Sequence, residues 1–251
     1  MGALYSTVFY QPLYNGLIFL MGALPWADAG IVVILFTVIV KLILFPLSVR
    51  SVKTQLKLKQ VEPELALLKE KYKGDRDQMA RKTLEIYKNN DIHPFSGFFL
   101  VLIQLPIIIA LYQVFYSGGI FEANVTLLYS FVHAPAHVTP FFLGFLDITK
   151  SSIYLALLAA VSQFFQAKLA LPPAKPRVKG EKSSFQDDLA RSMGMQMKFV
   201  LPVFIFFIAW KLAAAISLYW ITSNLFMIGQ ELYIRRRYKK PAPQAVVGKM
   251  A

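Results

Sequence analysis

The chain has 251 residues, of which 56% are hydrophobic and only 16% charged, yet its formal net charge is +13. Soluble domains carry about a quarter charged residues, so this composition points to a membrane protein whose charge lies outside the bilayer. The lack of cysteine excludes disulfides, thiolate metal sites and a lipid-anchored N-terminal cysteine.

Residues 1–28 contain no Lys or Arg, and so lack the basic n-region of a secretory signal. Tyr5, Phe9, Leu13, Leu17, Leu20 and Leu24 recur at near-helical spacing, with Trp26 after them. This suits an amphipathic helix lying along the outer interface. The first candidate span follows at 29–47. Segment 48–94 alternates charged and apolar positions, and is expected to fold as a helical hairpin in the cytoplasm. Its first helix carries Leu56, Leu65, Leu68 and Tyr72 and leads to Gly74. Its second opens at Asp75, with Gln78 three residues on in the pattern of a capping box, and carries Met79, Ile86 and Tyr87. A second span is expected at 95–116, an outer segment at 117–151, a third span at 152–171 and a cytoplasmic loop at 172–198. From Phe199 to Ile234 the chain is almost continuously apolar. One helix there would be about 54 Å long, too long for a single crossing of a core of roughly 30 Å. Lys211 interrupts the run, so two short antiparallel spans are expected, at 199–212 and 213–233. A basic tail fills 234–251.

The basic residues orient these spans. Segment 48–94 holds eleven Lys and Arg, segment 172–198 holds six, and the tail holds six. On the other side only Lys150 and Lys211 stand. Under the positive-inside rule the N-terminus is outside and the C-terminus cytoplasmic. Five spans satisfy this alternation; four or six break it. The fold class expected is therefore an all-α integral membrane protein with five transmembrane helices, an outer interfacial helix and a cytoplasmic hairpin.

Lys41 lies inside the apolar run VIVKLILFPL. If the first span is centred near Val38, the ammonium group has about 10 Å of hydrocarbon before the cytoplasmic interface. Snorkelling along a stem of roughly 6 Å covers only part of that distance. A bare charge there costs about 2.5–3.5 kcal/mol on insertion scales. A water-filled cavity open to the cytoplasm, with Lys41 on its wall, removes most of that cost. Thr37, Gln104, Gln163, Gln166, Thr222, Ser223, Asn224 and Gln230 also fall inside spans. For each of them ordinary interhelical bonding, worth about 0.6 kcal/mol a pair, is the competing account. Since Glu231 falls near a span end, no intramembrane carboxylate pairs with Lys41 by sequence. An unpaired cation suits the attraction of acidic groups.

Several stretches together resemble the YidC/Alb/Oxa family of membrane protein insertases over essentially the whole chain. They are FYQPLYNGLIFL at 9–20, VKLILFPLSVRS at 40–51, the hairpin sequence at 60–97, LIQLPIIIALYQVF at 102–115, MKFVLPVFIFFIAW at 197–210 and LYWITSNLFMIGQ at 218–230. The resemblance implies an insertase and chaperone of the bacterial inner membrane. It implies a hydrophilic groove, open to cytoplasm and lipid, that transiently holds the polar part of an inserting substrate. Lys41 falls where bacterial members typically have Arg, and Thr37, Gln104, Gln163, Tyr219, Trp220 and Asn224 are the other residues expected to line the groove. Implied partners are nascent or newly made membrane proteins and anionic lipids, with the Sec translocon and the ribosome left open; no cofactor and no sequence-specific nucleic acid are implied.

Two other classes compete. A small transporter would also need a polar cavity, but usually shows repeated halves with broken helices, and no internal repeat is visible. An enzyme would need a nucleophile or metal motif, and neither HExxH nor GxSxG occurs. His133 and His137 have helical i, i+4 spacing, but Pro135 between them argues against a helix.

Overall fold

The structure, a computed structural model, describes residues 2–72, 74–93, 96–116, 123–135, 137–170, 192 and 194–238. The loop expected at 172–184 and the tail beyond residue 238 lie outside the described residues. Apart from one short hairpin the described elements are helical. The chain forms two compact units, Met1–Ile43 with Leu102–Gly229, and Leu44–Val101 with Gln230–Ala251.

In the first unit, α1 occupies residues 3–23: a turn at Ala3–Tyr5, a π-helical turn at Ser6–Tyr10 and the α-helical Gln11–Ala23. Leu13, Tyr14, Asn15, Leu17, Ile18 and Met21 are its buried side chains. α2 follows at Ala29–Ile43. Gly16 admits the edge of the Phe36 ring; a Cβ there would approach it to 2.7 Å. α2 stops at Ile43 because Pro46, in the first turn of the next helix, cannot donate the amide that would continue the ladder.

α5 (Ser96–Tyr116), α6 (Ile153–Ala170), α7 (Leu201–Lys211) and α8 (Ala214–Arg237) complete the helices that enter this unit; α3 and α4 belong to the second. α6 is the one described helix that by itself is long and apolar enough to cross a bilayer core. Its small residues face inward and its large ones outward. Ala156 and Ala159 are buried against Ile205, Ala209, Ile216 and Trp220. Leu157, Leu158, Val161 and Phe165 are exposed. That inversion of the soluble pattern is how helices approach closely in lipid. α7 and α8 are separated by Leu212 and Ala213, with Leu212 in extended backbone. No Gly or Pro forces this break. It is held by residues 148–150, where the Lys150 and Ile148 carbonyls accept the Ala214 and Ala215 amides at 2.8 and 3.0 Å. Those bonds satisfy donors that a helix start otherwise leaves free.

Residues 124–129 and 139–147 tie down α1 and α2. Asn15 Nδ2 donates to the Leu127 carbonyl, and its Oδ1 accepts the Tyr129 amide at 2.7 Å. The Asn124 amide donates to the Tyr14 hydroxyl at 2.7 Å. Strands β1 (Phe141–Phe142) and β2 (Leu146–Asp147) pair antiparallel. Asp28 caps α2 by accepting the Ile31 amide and reaches the Leu143 amide with its other oxygen. Residues 132–135 and 137–140 are not helical, so the i, i+4 spacing of His133 and His137 has no helix to act on.

The second unit contains α3 (Phe45–Lys71) and α4 (Arg76–Asn89). Asp75 caps α4 by accepting the Gln78 amide at 2.9 Å. The hairpin has its own small core of Val61, Ile86 and Ile92, with Leu58, Leu65, Leu68 and Tyr87 packed around it. α4 ends in a Schellman motif: the Ile92 amide donates to the Tyr87 carbonyl and the Asp91 amide to the Lys88 carbonyl. Asp91 takes the left-handed conformation, φ 52°, and pairs with Lys57 at 3.2 Å. In the last turns of α8, buried Glu231 accepts two bonds from Arg235, and Lys53 stacks on the Tyr238 ring at 4.2 Å.

Candidate functional site

α2 carries Lys41 in its last turn, with only 8% of its surface exposed. α5 brings Gln104 to it and α8 brings Tyr219. Lys41 Nζ donates to Gln104 Oε1 at 2.9 Å, and Gln104 Nε2 donates to the Tyr219 hydroxyl. Met227, two turns beyond Tyr219 on α8, sets its sulfur 3.9 Å from Nζ. An ammonium has three donors. One meets a full acceptor and one a thioether, which accepts weakly. Among the described residues no carboxylate pairs with Lys41. The cluster is thus a buried cation oriented by a neutral amide, which in turn is anchored by a phenol.

Chemically the arrangement can do one thing well. Gln104 fixes the ammonium without cancelling its charge, so the field of Lys41 remains available to an acidic group that comes near. In a low-dielectric surround that field is worth more than in water.

The other expected residues are arranged differently. Thr37 is buried one turn before Lys41, and its hydroxyl donates to the Val33 carbonyl of its own helix at 2.6 Å. Asn224 Nδ2 donates to Ser162 Oγ at 3.0 Å, a bond that ties α8 to α6. Gln163 donates to Gln166 on its own helix at 3.3 Å. Trp220 packs in the apolar cluster of α6, α7 and α8. So Lys41, Gln104 and Tyr219 meet, while Thr37, Gln163, Asn224 and Trp220 have other partners. Met227 and Ser162 were not visible from the sequence as members of these contacts. For Met227 the only signal is the i+4 row Tyr219, Ser223, Met227, which puts it on the face of α8 that bears the phenol.

A basic chain of largely apolar helices that, among the described residues, buries one cation beside neutral polar groups has the character of a helical membrane protein. The sequence pattern of the family described as 60Kd inner membrane protein matches residues 21–241. The chain belongs to that family, and it is a multi-pass protein of the bacterial inner membrane. It is similar to the "Membrane protein insertase YidC" of Clostridium tetani (strain Massachusetts / E88), with 30% identity over 217 residues, 86% of either chain. It is also similar to the "Membrane protein insertase YidC" of Francisella tularensis subsp. novicida (strain U112), with 31% identity over 210 residues. That match takes in 84% of this chain and 33% of the relative, so the chain spans about a third of the Francisella protein's length.

Proposed function

We propose that the chain is a membrane protein insertase that carries short polar tails of newly made membrane proteins through a hydrated intramembrane groove and releases their apolar helices into lipid. Five spans, at 29–47, 95–116, 152–171, 199–212 and 213–233, cross with the N-terminus outside. The barrier to insertion is the passage of a polar tail through hydrocarbon. A groove that admits water partway shortens that passage. α7, at 11 residues, is about 17 Å long, and short helices favour local thinning of the bilayer. Lys41 attracts acidic groups in the tail, and the membrane potential draws negative charge outward. Anionic lipids bind the basic segments. The cytoplasmic hairpin receives the incoming chain. No nucleotide or redox step is required.

One observation carries this reading: Lys41 is buried and oriented by Gln104, yet has no carboxylate partner among the described residues. A structural lysine at that depth would be expected to carry a counter-ion. The test is insertion into proteoliposomes of substrates whose N-terminal tails differ only in charge. Lys41→Arg is expected to keep activity, and Lys41→Ala to lose it most for acidic tails. The transporter reading makes a different forecast, uptake of a small solute by the same proteoliposomes without added substrate protein, and no feature described above favours it.

A further inference from the structure

The hairpin at residues 141–147 presents an apolar tip that the other described residues leave exposed. Residues 139–146, TPFFLGFL, carry no charge. Phe142 turns inward and lies on the backbone of Gly30, where a Cβ would run into its ring. Phe141 is exposed, Leu143 is 59% exposed and Phe145 is 75% exposed. The turn between the strands is closed by a bond from the Phe145 amide to the Phe142 carbonyl. Its two central residues, Leu143 and Gly144, have φ of 53° and 80°. Turns with both central residues left-handed favour Asn–Gly or Asp–Gly. Leu at the first of these positions is strained, and more than half of its surface is exposed. Its amide is nonetheless fixed, by the 2.9 Å bond to Asp28. Strain held in place with an apolar side chain pointing away from the fold suits a site whose partner is itself apolar.

The surroundings identify that partner as lipid. The hairpin base is bonded to the starts of two helices: the Ala29 amide donates to the Thr139 carbonyl, and the start of α8 donates to Ile148 and Lys150. α6 begins at Ile153, six residues after β2. With two-residue strands, at about 3.4 Å per residue, the tip cannot stand more than about 10 Å from these helix ends. The headgroup region on each side is about 5–8 Å deep, so a tip within that reach lies in it or at its edge. Exposed Trp26 and Tyr154, near the starts of α2 and α6, are the residue types that mark a membrane interface. We propose that the tip is a lipid-anchoring finger that seats Leu143 and Phe145 at the headgroup–acyl boundary of the outer leaflet and so sets the depth of the first turns of α2, α6 and α8. This rests on the reading above in which those helices span the membrane.

The chain has no cysteine, so single-cysteine labelling is unambiguous. Leu143→Cys, Phe145→Cys, Val161→Cys on the exposed face of α6 and Lys88→Cys on α4 are each labelled with an environment-sensitive fluorophore. They are reconstituted in phosphatidylcholine–phosphatidylglycerol vesicles, with nitroxide lipids near the headgroup or near the chain end, and with aqueous iodide. Expected at 143 and 145 are a blue shift relative to 88, loss of intensity with the shallow nitroxide and protection from iodide. Emission at 143 and 145 that matches 88 and is quenched by iodide overturns the finger, while deep quenching at 161 still upholds the span. Protection from iodide without nitroxide quenching also overturns it, and assigns the tip to a protein partner or a second copy. Loss of deep quenching at 161 overturns the spanning reading, and the finger with it. A further variant, Leu143→Asn, suits the turn and should fold; with the label at 145 it is expected to show a red shift and weaker shallow quenching. An unchanged label at 145 in that variant contradicts a contribution from Leu143.

Discussion

Lys41 and Gln104 divide the work at the residue scale. Charge comes from the lysine, and direction comes from the amide. Replacing the amide by a carboxylate separates the two. Gln104→Glu puts an opposite charge at the position of Oε1, 2.9 Å from Nζ. A buried ion pair of that geometry should leave thermal stability in detergent unchanged or raise it, since removal of a partner, not its addition, is what destabilises. It should at the same time lower insertion of acidic tails, because the field that attracts them is cancelled. Equal yields for wild type and Gln104→Glu would show that the charge is not used. Tyr219→Phe removes the hydroxyl that accepts from Gln104 Nε2. A fully buried donor left without a partner costs about 1–3 kcal/mol; Gln104 is half-buried, so this variant should lose stability toward the lower end of that range and show a milder insertion defect than Lys41→Ala. Part of this cluster was legible. Lys41 stood out because a charge in an apolar run is conspicuous, and Gln104 because it is the one amide in the middle of its span. Its pairing with Tyr219 was not, since a phenol in a span is equally at home at an interface, in a core or in a network. Trp220 and Gln163 show the converse. Adjacency to Tyr219 or polarity alone does not say which face of a helix a residue occupies.

The elements differ in how they are held. The α3–α4 hairpin relies on a three-residue core whose third member, Ile92, lies beyond the end of α4. Its Schellman bonds are what fold Ile92 back. Ile92→Ala should therefore cost about 2 kcal/mol or more, confined to the hairpin and read as faster amide exchange over residues 76–92. The neighbouring Asp91 carboxyl is held below the usual carboxylate range, chiefly by its bond from Lys57. A depressed value means stability that is present above the ordinary carboxylate range and lost as pH falls through the folded value. Protection of the amides at the end of α4, taken relative to their intrinsic exchange, should then fall in acid, and Lys57→Met should remove most of that fall, leaving the smaller part that comes from His93. At the start of α2, Gly30→Ala drives a Cβ into the Phe142 ring. Overpacking of this kind costs about 1–3 kcal/mol, and it should shift the melting point in detergent while Ala at the open Gly2 does not. Helices were the most readable elements, because 3.6-residue periodicity and caps such as Asp75 are local signals. The bonds that tie α1 and α8 to the segment between α5 and α6 were not readable. They run from Asn15 to Leu127 and Tyr129, and from Ala214 to Lys150, over long sequence separations that leave no periodic trace. The halt of α2 at Ile43 followed from Pro46, which the hydropathy of 29–47 conceals.

At the scale of the whole molecule, what matters is that a basic, apolar chain buries Lys41 among its helices with no carboxylate partner among the described residues. Membership of the 60Kd inner membrane protein family and likeness to proteins named as insertases agree with that use of the fold. The central claim is that the charge of Lys41, and not merely water or polarity around it, lowers the barrier for acidic tails. The most direct measurement is the ratio of insertion yields for acidic and neutral tails, in proteoliposomes of wild type, Lys41→Arg, Lys41→Ala and Lys41→Glu. The ratio should hold in Lys41→Arg, fall in Lys41→Ala and fall furthest in Lys41→Glu, where like charges repel in a low-dielectric wall. A ratio unchanged in Lys41→Ala would contradict the account and leave Lys41 a structural or hydrating group.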